Sequence, residues 1–149
     1  MRRLLAIAVL SLATACGGGR SNPLSPSTGT NLTGRWDGSL TLADRNRPGE
    51  TAGALTATFT AAAGGYQVRL ESANPLLPIS DVGTASVIPP GTPGNVFTLD
   101  LTYPSPYGSC FGSFNAIGKL TTATQIDTDV LTFESCGKNL LGRLTLSKR

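Results

Sequence analysis

The chain has no histidine. That removes every Ser-His-Asp and Cys-His mechanism, and every zinc site that needs imidazole. Cysteine is scarce: three residues, too few for a four-cysteine zinc site. Aromatic residues are few as well, one Trp, three Tyr and five Phe among 149 residues. A transmembrane β-barrel needs aromatic girdles at both interfaces, so that reading is set aside. There is no phosphate loop and no dinucleotide fingerprint. The apolar run near the N-terminus covers about 11 residues, against the ~20 that a spanning helix requires.

That short run carries the first positive signal. In "MRRLLAIAVLSLATAC", Arg2 and Arg3 form a positive n-region, Leu4 to Leu12 an apolar h-region, and Ala13-Thr14-Ala15 the small residues a signal peptidase needs. Residues 1–15 are therefore expected to be a secretory signal. Ala13-Thr14-Ala15-Cys16 resembles the lipobox of bacterial lipoproteins. The resemblance implies cleavage just before Cys16 and lipid attachment, palmitate included, to its sulfur. It also implies a home in the bacterial envelope, with Gly17 compatible with the outer membrane. One acyl chain holds a protein only marginally, at ~0.8 kcal/mol per buried methylene. The several chains carried by that family's cysteine imply a stable anchor. An ordinary signal peptide with an incidental Cys16 is the alternative.

Loss of the signal changes the charge. The whole chain has 12 basic and 9 acidic residues, for +3, and without Arg2 and Arg3 the balance is 10 against 9. No basic cluster stands out, so nucleic acid is not an expected partner. The next stretch, "GGGRSNPLSPSTGTN", has almost nothing to bury and reads as a flexible linker over residues 16–31, spanning roughly 20 Å on average.

From Leu32 to Arg149 the texture is that of a single β domain. Apolar and polar residues alternate in "GRWDGSLTL", "ALTATFTA", "YQVRLES", "VFTLDLTY" and "GRLTLSK". "DVGTASVIP" is short and ends at Pro89-Pro90, and "SCFGSFNAIGKL" carries apolar groups on both faces. "QIDTDVLTFESC" changes phase between Val130 and Leu131, which predicts a bulge there. Turn-forming clusters such as "RNRPGE", "AAAGG" and "CGKN" separate the segments. Eight strands predict an all-β fold, an eight-stranded antiparallel up-and-down barrel, with a β-sandwich as the alternative. Interleaved threonines and glycines argue against a helix in the Ala-rich piece around residue 57.

If Cys16 takes lipid, Cys110 and Cys136 remain as a pair in an oxidising compartment. They fall at the start of the sixth strand and the end of the seventh, which are neighbours in a meander. A disulfide is expected, closing a loop of about 26 residues and contributing roughly 3 kcal/mol in the chain-entropy model. Two free thiols, or a metal pair lacking partners, are the alternatives.

Little else suggests chemistry. "SCGK" places Ser135 three before Lys138, the spacing of a Ser-x-x-Lys nucleophile, but at a strand end rather than a helix start. Asp127 and Asp129 point two carboxylates to one side, without the further oxygens calcium needs. No catalytic residue, metal or cofactor is expected. Trp36, Phe59, Tyr66, Phe97 and Tyr103 all point inward on the alternation. They either fill the barrel or line a cavity for a small apolar ligand. Gly34, Gly38, Ala57 and Ala61 are the small inward residues that would leave room beside them.

"LTGRWDGSL", residues 32 to 40, resembles the first strand of the calycin barrels, the lipocalins and avidins, whose opening strand carries Gly-x-Trp. Gly34 and Trp36 match it, and Leu32 to Trp36 match the longer avidin form. The resemblance implies a barrel with its end closed by tryptophan. Gly38 stands where avidins place a ligand-binding Asn, and no second tryptophan is present. The sequence thus predicts a membrane-anchored envelope protein whose barrel binds a small apolar ligand. A non-catalytic structural or interaction module, meeting another envelope protein, is the alternative.

Overall fold

The computed structural model describes residues 31–46, 49–87 and 96–149. The signal segment, Cys16 and the linker up to residue 30 lie outside the described residues, as does the Pro89-Pro90 end of the fourth strand. The remainder is eight strands in chain order: β1 (Gly34–Asp44), β2 (Glu50–Ala62), β3 (Gly65–Ser72), β4 (Ser80–Val87), β5 (Val96–Pro104), β6 (Phe111–Thr122), β7 (Gln125–Glu134) and β8 (Asn139–Lys148). Every strand pairs antiparallel with its sequence neighbours, and β1 pairs with β8, so the sheet closes into a barrel. Among the described residues no helix is long and apolar enough to cross a membrane.

The period-2 pattern builds this wall directly. Trp36, Leu40 and Leu42 on β1 face inward, as do Leu55, Ala57 and Phe59 on β2. Val68 and Leu70, then Phe97, Leu99, Leu101 and Tyr103, then Leu144 and Leu146 continue the inner surface. Sequestering each such large side chain contributes about 1.5–3 kcal/mol, and the inner row supplies the driving force for closure. Tight turns join the strands at glycines of positive φ, Gly64 at +80° and Gly137 at +91°, where an L side chain would be strained.

Two local expectations are corrected. β7 runs through Val130 and Leu131 without a change of phase: Ile126, Thr128, Val130, Thr132 and Glu134 all point inward. The apolar Leu131 and Phe133 face outward instead. Polar groups are tolerated inside because they find partners; Thr132 Oγ1 accepts a hydrogen bond from the Leu140 amide at 3.1 Å. The irregular register lies at the other end of the β6–β7 pair, between Leu120 and Thr122. Nor do the small residues leave room inside. Ala57 is buried, but Gly38 and Ala61 are exposed and Gly34 is half-buried. A Cβ on Gly38 would run into the Thr145 carbonyl of β8, so this glycine permits close strand approach rather than a cavity.

The strand directions give the barrel two ends. Asn31, the β2–β3 and β6–β7 turns and Arg149 lie at the lower end. Residues 45 and 46 and the segments 73–79, 105–110 and 135–138 lie at the upper end.

Candidate functional site

At the lower end Phe59 is the centre of an aromatic cluster. The rings of Trp36, Tyr66 and Phe97 stand edge-on to it, with centroids at 5.8, 6.2 and 6.2 Å. This geometry sets the positive edge of one ring against the negative face of another. Trp36 Nε1 donates to the Leu32 carbonyl at 2.7 Å, and the Leu32 amide donates to Tyr66 Oη at 3.3 Å. Leu32 is fully buried, so the chain just before β1 packs into the lower end. The ammonium of Lys148 sits 5.8 Å above the Trp36 ring.

Four of the five aromatic residues singled out from the sequence are thus brought together. Tyr103 is not among them; it is buried at the upper end. Its hydroxyl donates to Glu134 Oε1 at 3.1 Å, while Ser105 Oγ donates to Glu134 Oε2 at 2.6 Å. Burial, reinforced by the neighbouring Glu134 charge, pushes the Tyr103 phenol well above its usual range. It therefore stays protonated and keeps donating. Glu134 itself is 5% exposed.

The disulfide lies beside this carboxylate. Cys110 and Cys136 are bonded, with an S–S distance of 2.08 Å and Cα atoms 5.9 Å apart. The two sulfurs and a Glu134 oxygen all lie within 4.8 Å of one another. The pairing expected from strand order is therefore present, and it ties the 105–110 loop to the 135–138 turn.

The upper mouth is filled by a segment that alternation did not reveal. Between β3 and β4 the chain turns into the barrel, burying Asn74, Leu77 and Ile79. The Asn74 amide donates to the Leu40 and Thr51 carbonyls, both at 2.7 Å. Its Oδ1 accepts from the Leu76 amide at 2.8 Å, and its own amide donates to Ser72 Oγ at 3.1 Å. The only signal in "ANPLLPIS" was turn chemistry, an Asn-Pro pair followed by apolar residues with no strand period. Tyr107 of the neighbouring loop donates its hydroxyl to the Leu76 carbonyl from above.

Eight antiparallel strands around an apolar interior give the barrel the shape of a small-molecule calyx. Side chains occupy that interior at both ends. Three grooves lined by described residues, of about 320, 340 and 340 Å³, lie on the outer wall over β2 to β6 and open to solvent. Only the first touches a predicted aromatic residue, the half-buried Tyr66.

The weak sequence motifs dissolve. Ser135 Oγ donates to the Phe111 carbonyl at 3.1 Å. Lys138 instead lies 3.4 Å over the Tyr107 ring and 4.0 Å from Asp44. Asp127 is held by Arg143 through two bonds of 2.5 and 2.7 Å, rather than joining Asp129 in an oxygen cage.

The outer wall of β6, β7 and β8 carries the opposite surprise. Phe111 is 67% exposed, Ile117 63% and Phe133 48%, and Leu141 also faces solvent. Register pairs Leu131 with Leu141, while Phe133 lies between Ser113 and Asn139 and Ile117 lies opposite Asp129, so this wall sets large apolar side chains among polar ones. Against known proteins the chain stands apart: it matches no family model, no curated protein and no solved structure.

Proposed function

We propose that this chain is a lipid-anchored, non-catalytic envelope protein that works through the outside of its barrel, by docking an apolar face of another envelope protein onto β6–β8. The observation that carries this reading is the contrast between inward-facing side chains buried at both ends of the barrel and a wall that leaves Phe111, Ile117 and Phe133 in water. Large apolar side chains left in water on three neighbouring strands of a small domain favour an interaction face. Orientation supports a protein partner over the chain's own bilayer. A tether on Cys16 reaches the barrel at Asn31, at the lower end. Phe111 and Phe133 lie near the upper rim, on the far side from that attachment.

The test uses the full chain in its host. A photoreactive side chain at position 133 or 141 is expected to give one discrete cross-linked protein, lost when Phe111→Ser is added. The same probe at Gln67 or Thr84, on the opposite wall, should give none. Equal products from both walls, or cross-links to lipid alone, would overturn the docking reading. Metabolic labelling with an alkynyl fatty acid tests the anchor: label is expected on the chain and lost in Cys16→Ser.

A second reading, binding of a small apolar ligand within the barrel, is favoured by one feature. The upper mouth is closed by a loop, 73–79, and not by the strands. Outward movement of Leu77 and Ile79 would expose an apolar calyx. A small molecule that co-purifies with the full chain in native mass spectrometry, and is displaced on Phe59→Trp, would support it.

A further inference from the structure

The upper rim brings together a group of donors that no role above employs. We propose that it is a redox-gated site for a soft divalent cation such as zinc, formed by Cys110, Cys136 and Glu134 when the disulfide is reduced. From spacing alone, a metal at the cysteine pair lacked partners. The fold supplies one: a Glu134 oxygen and both sulfurs lie within 4.8 Å of one another.

Three observations carry the assignment. First, Glu134 is a buried carboxylate held without a cation. Among the described residues it forms no ion pair, and Lys138 is engaged with Tyr107 and Asp44. Its hydrogen bonds come from two neutral hydroxyls, Tyr103 and Ser105. Those bonds fix its orientation and leave lone pairs free, since each carboxylate oxygen can accept about two. Second, the free side of Oε2 faces the sulfurs: Cys136 Sγ is 3.6 Å from it. Third, Cys136 is exposed, so an ion and a completing water have a route in from solvent.

The charge balance explains the gating. In the oxidised state the sulfurs are neutral and already bonded to each other, and the cluster carries at most one negative charge. A dithiol reductant transfers two electrons and two protons to the pair: the S–S bond breaks, two thiols form, and the reductant becomes a disulfide. Deprotonating both thiols beside a buried carboxylate would put three negative charges together, which a divalent cation relieves. The ion takes up two sulfurs and one carboxylate oxygen and releases two protons to solvent. Zinc bonds of ~2.3 Å to sulfur and ~2.0–2.2 Å to oxygen fit a cluster of this span once the sulfurs part. Two thiolates and one carboxylate leave a fourth tetrahedral position for water.

The experiment uses the full-length chain with Cys16→Ser, so that the pair holds its only sulfurs from cysteine, in mild detergent. A phosphine reductant opens the disulfide. Zinc is then titrated against a chromophoric chelator, and cadmium is followed by its thiolate charge-transfer absorption. One ion per reduced chain and two protons released are expected, with no such site in the oxidised chain. Glu134→Gln, which keeps the shape and removes the charge, should weaken binding on the order of 10- to 100-fold, as altering even an outer partner of a metal site does. The Cys110→Ser/Cys136→Ser chain should not bind. Zinc binding by the reduced chain no tighter than by that double variant would overturn the site. So would equal affinity in Glu134→Gln, which is what two thiols on an unfolded chain would give. One ion shared between two chains would do so too. Trp36 fluorescence, recorded alongside, reports whether the barrel stays closed on reduction.

Discussion

Asn74 lies directly on the bare backbone of Gly53 inside the barrel: a Cβ built on Gly53 would overlap the Asn74 main chain. The contact places the Asn74 amide between the Leu40 and Thr51 carbonyls, the first in a buried bond and the second in a partly buried one. Asn74→Ala strands both. An unsatisfied buried polar group costs about 1–3 kcal/mol, so a loss of about 3 kcal/mol in urea unfolding is expected. Gly53→Ala should be destabilised as well, because backbone rather than a flexible side chain must move. If Asn74→Ala unfolds at the wild-type midpoint, the 73–79 segment does not hold the upper mouth shut.

The lower end depends on Phe59. Its ring touches Trp36, Tyr66 and Phe97, so truncation removes three edge-on contacts at once. Phe59→Ala is expected to cost about 3–5 kcal/mol. Trp36 is the sole tryptophan, which makes its emission a local reporter. The variant should shift that emission to the red while still folded. Unchanged emission would show that Leu32, not the aromatic cluster, excludes water from the indole.

These two ends differ in how visible they were in the sequence. The aromatic cluster and the strand count follow from alternation, since an inward residue every second position is what a closed sheet demands. The disulfide followed from strand order. The upper end was hidden for a physical reason. Asn74 and Glu134 are polar groups placed inside, satisfied by partners 34 and 31 residues away in Leu40 and Tyr103. Periodicity assigns polar residues to the outside, and so it read a phase change at Val130 where none exists. A phase change after Val130 would turn Leu131 and Phe133 inward, and so it concealed the apolar residues on the outer wall.

Acid should weaken the barrel through its surface carboxylates. Hydrogen bonds from Arg143, opposed in part by desolvation, hold Asp127 below the usual carboxylate range. Asp37 is also lowered: burial works against this, but Arg35, Thr56 and Arg149 together outweigh it. A carboxylate with a depressed folded pKa contributes stability above its unfolded value of about 3.9, and loses it as pH falls through the lower folded value. Stability should therefore decline between about pH 5 and about pH 2. Both pairs are exposed and screened, so the slope is expected to be shallow. Arg143→Gln should flatten it further, measured as the urea midpoint at each pH. A slope identical to wild type would remove Asp127 from the account.

Tyr103 gives the opposite arm. Gly112 packs against its ring, and a Cβ there would meet the phenol oxygen at 2.5 Å. Burial first, then the charge of Glu134, raises its phenol. A group with a raised folded pKa contributes stability that is complete below its unfolded value, near 10, and is lost as pH rises through the folded one. In an alkaline titration followed by phenolate absorbance, Tyr103 should stay un-ionised until the barrel unfolds. Gly112→Ala must push the ring aside, breaking its bond to Glu134 and letting water reach the hydroxyl. That variant should let the Tyr103 phenol ionise at lower pH than in the wild type while near-ultraviolet circular dichroism still reports a folded chain. If instead the slow tyrosine persists in Gly112→Ala, burial elsewhere in the barrel, and not the Tyr103–Glu134 contact, is what holds a phenol neutral.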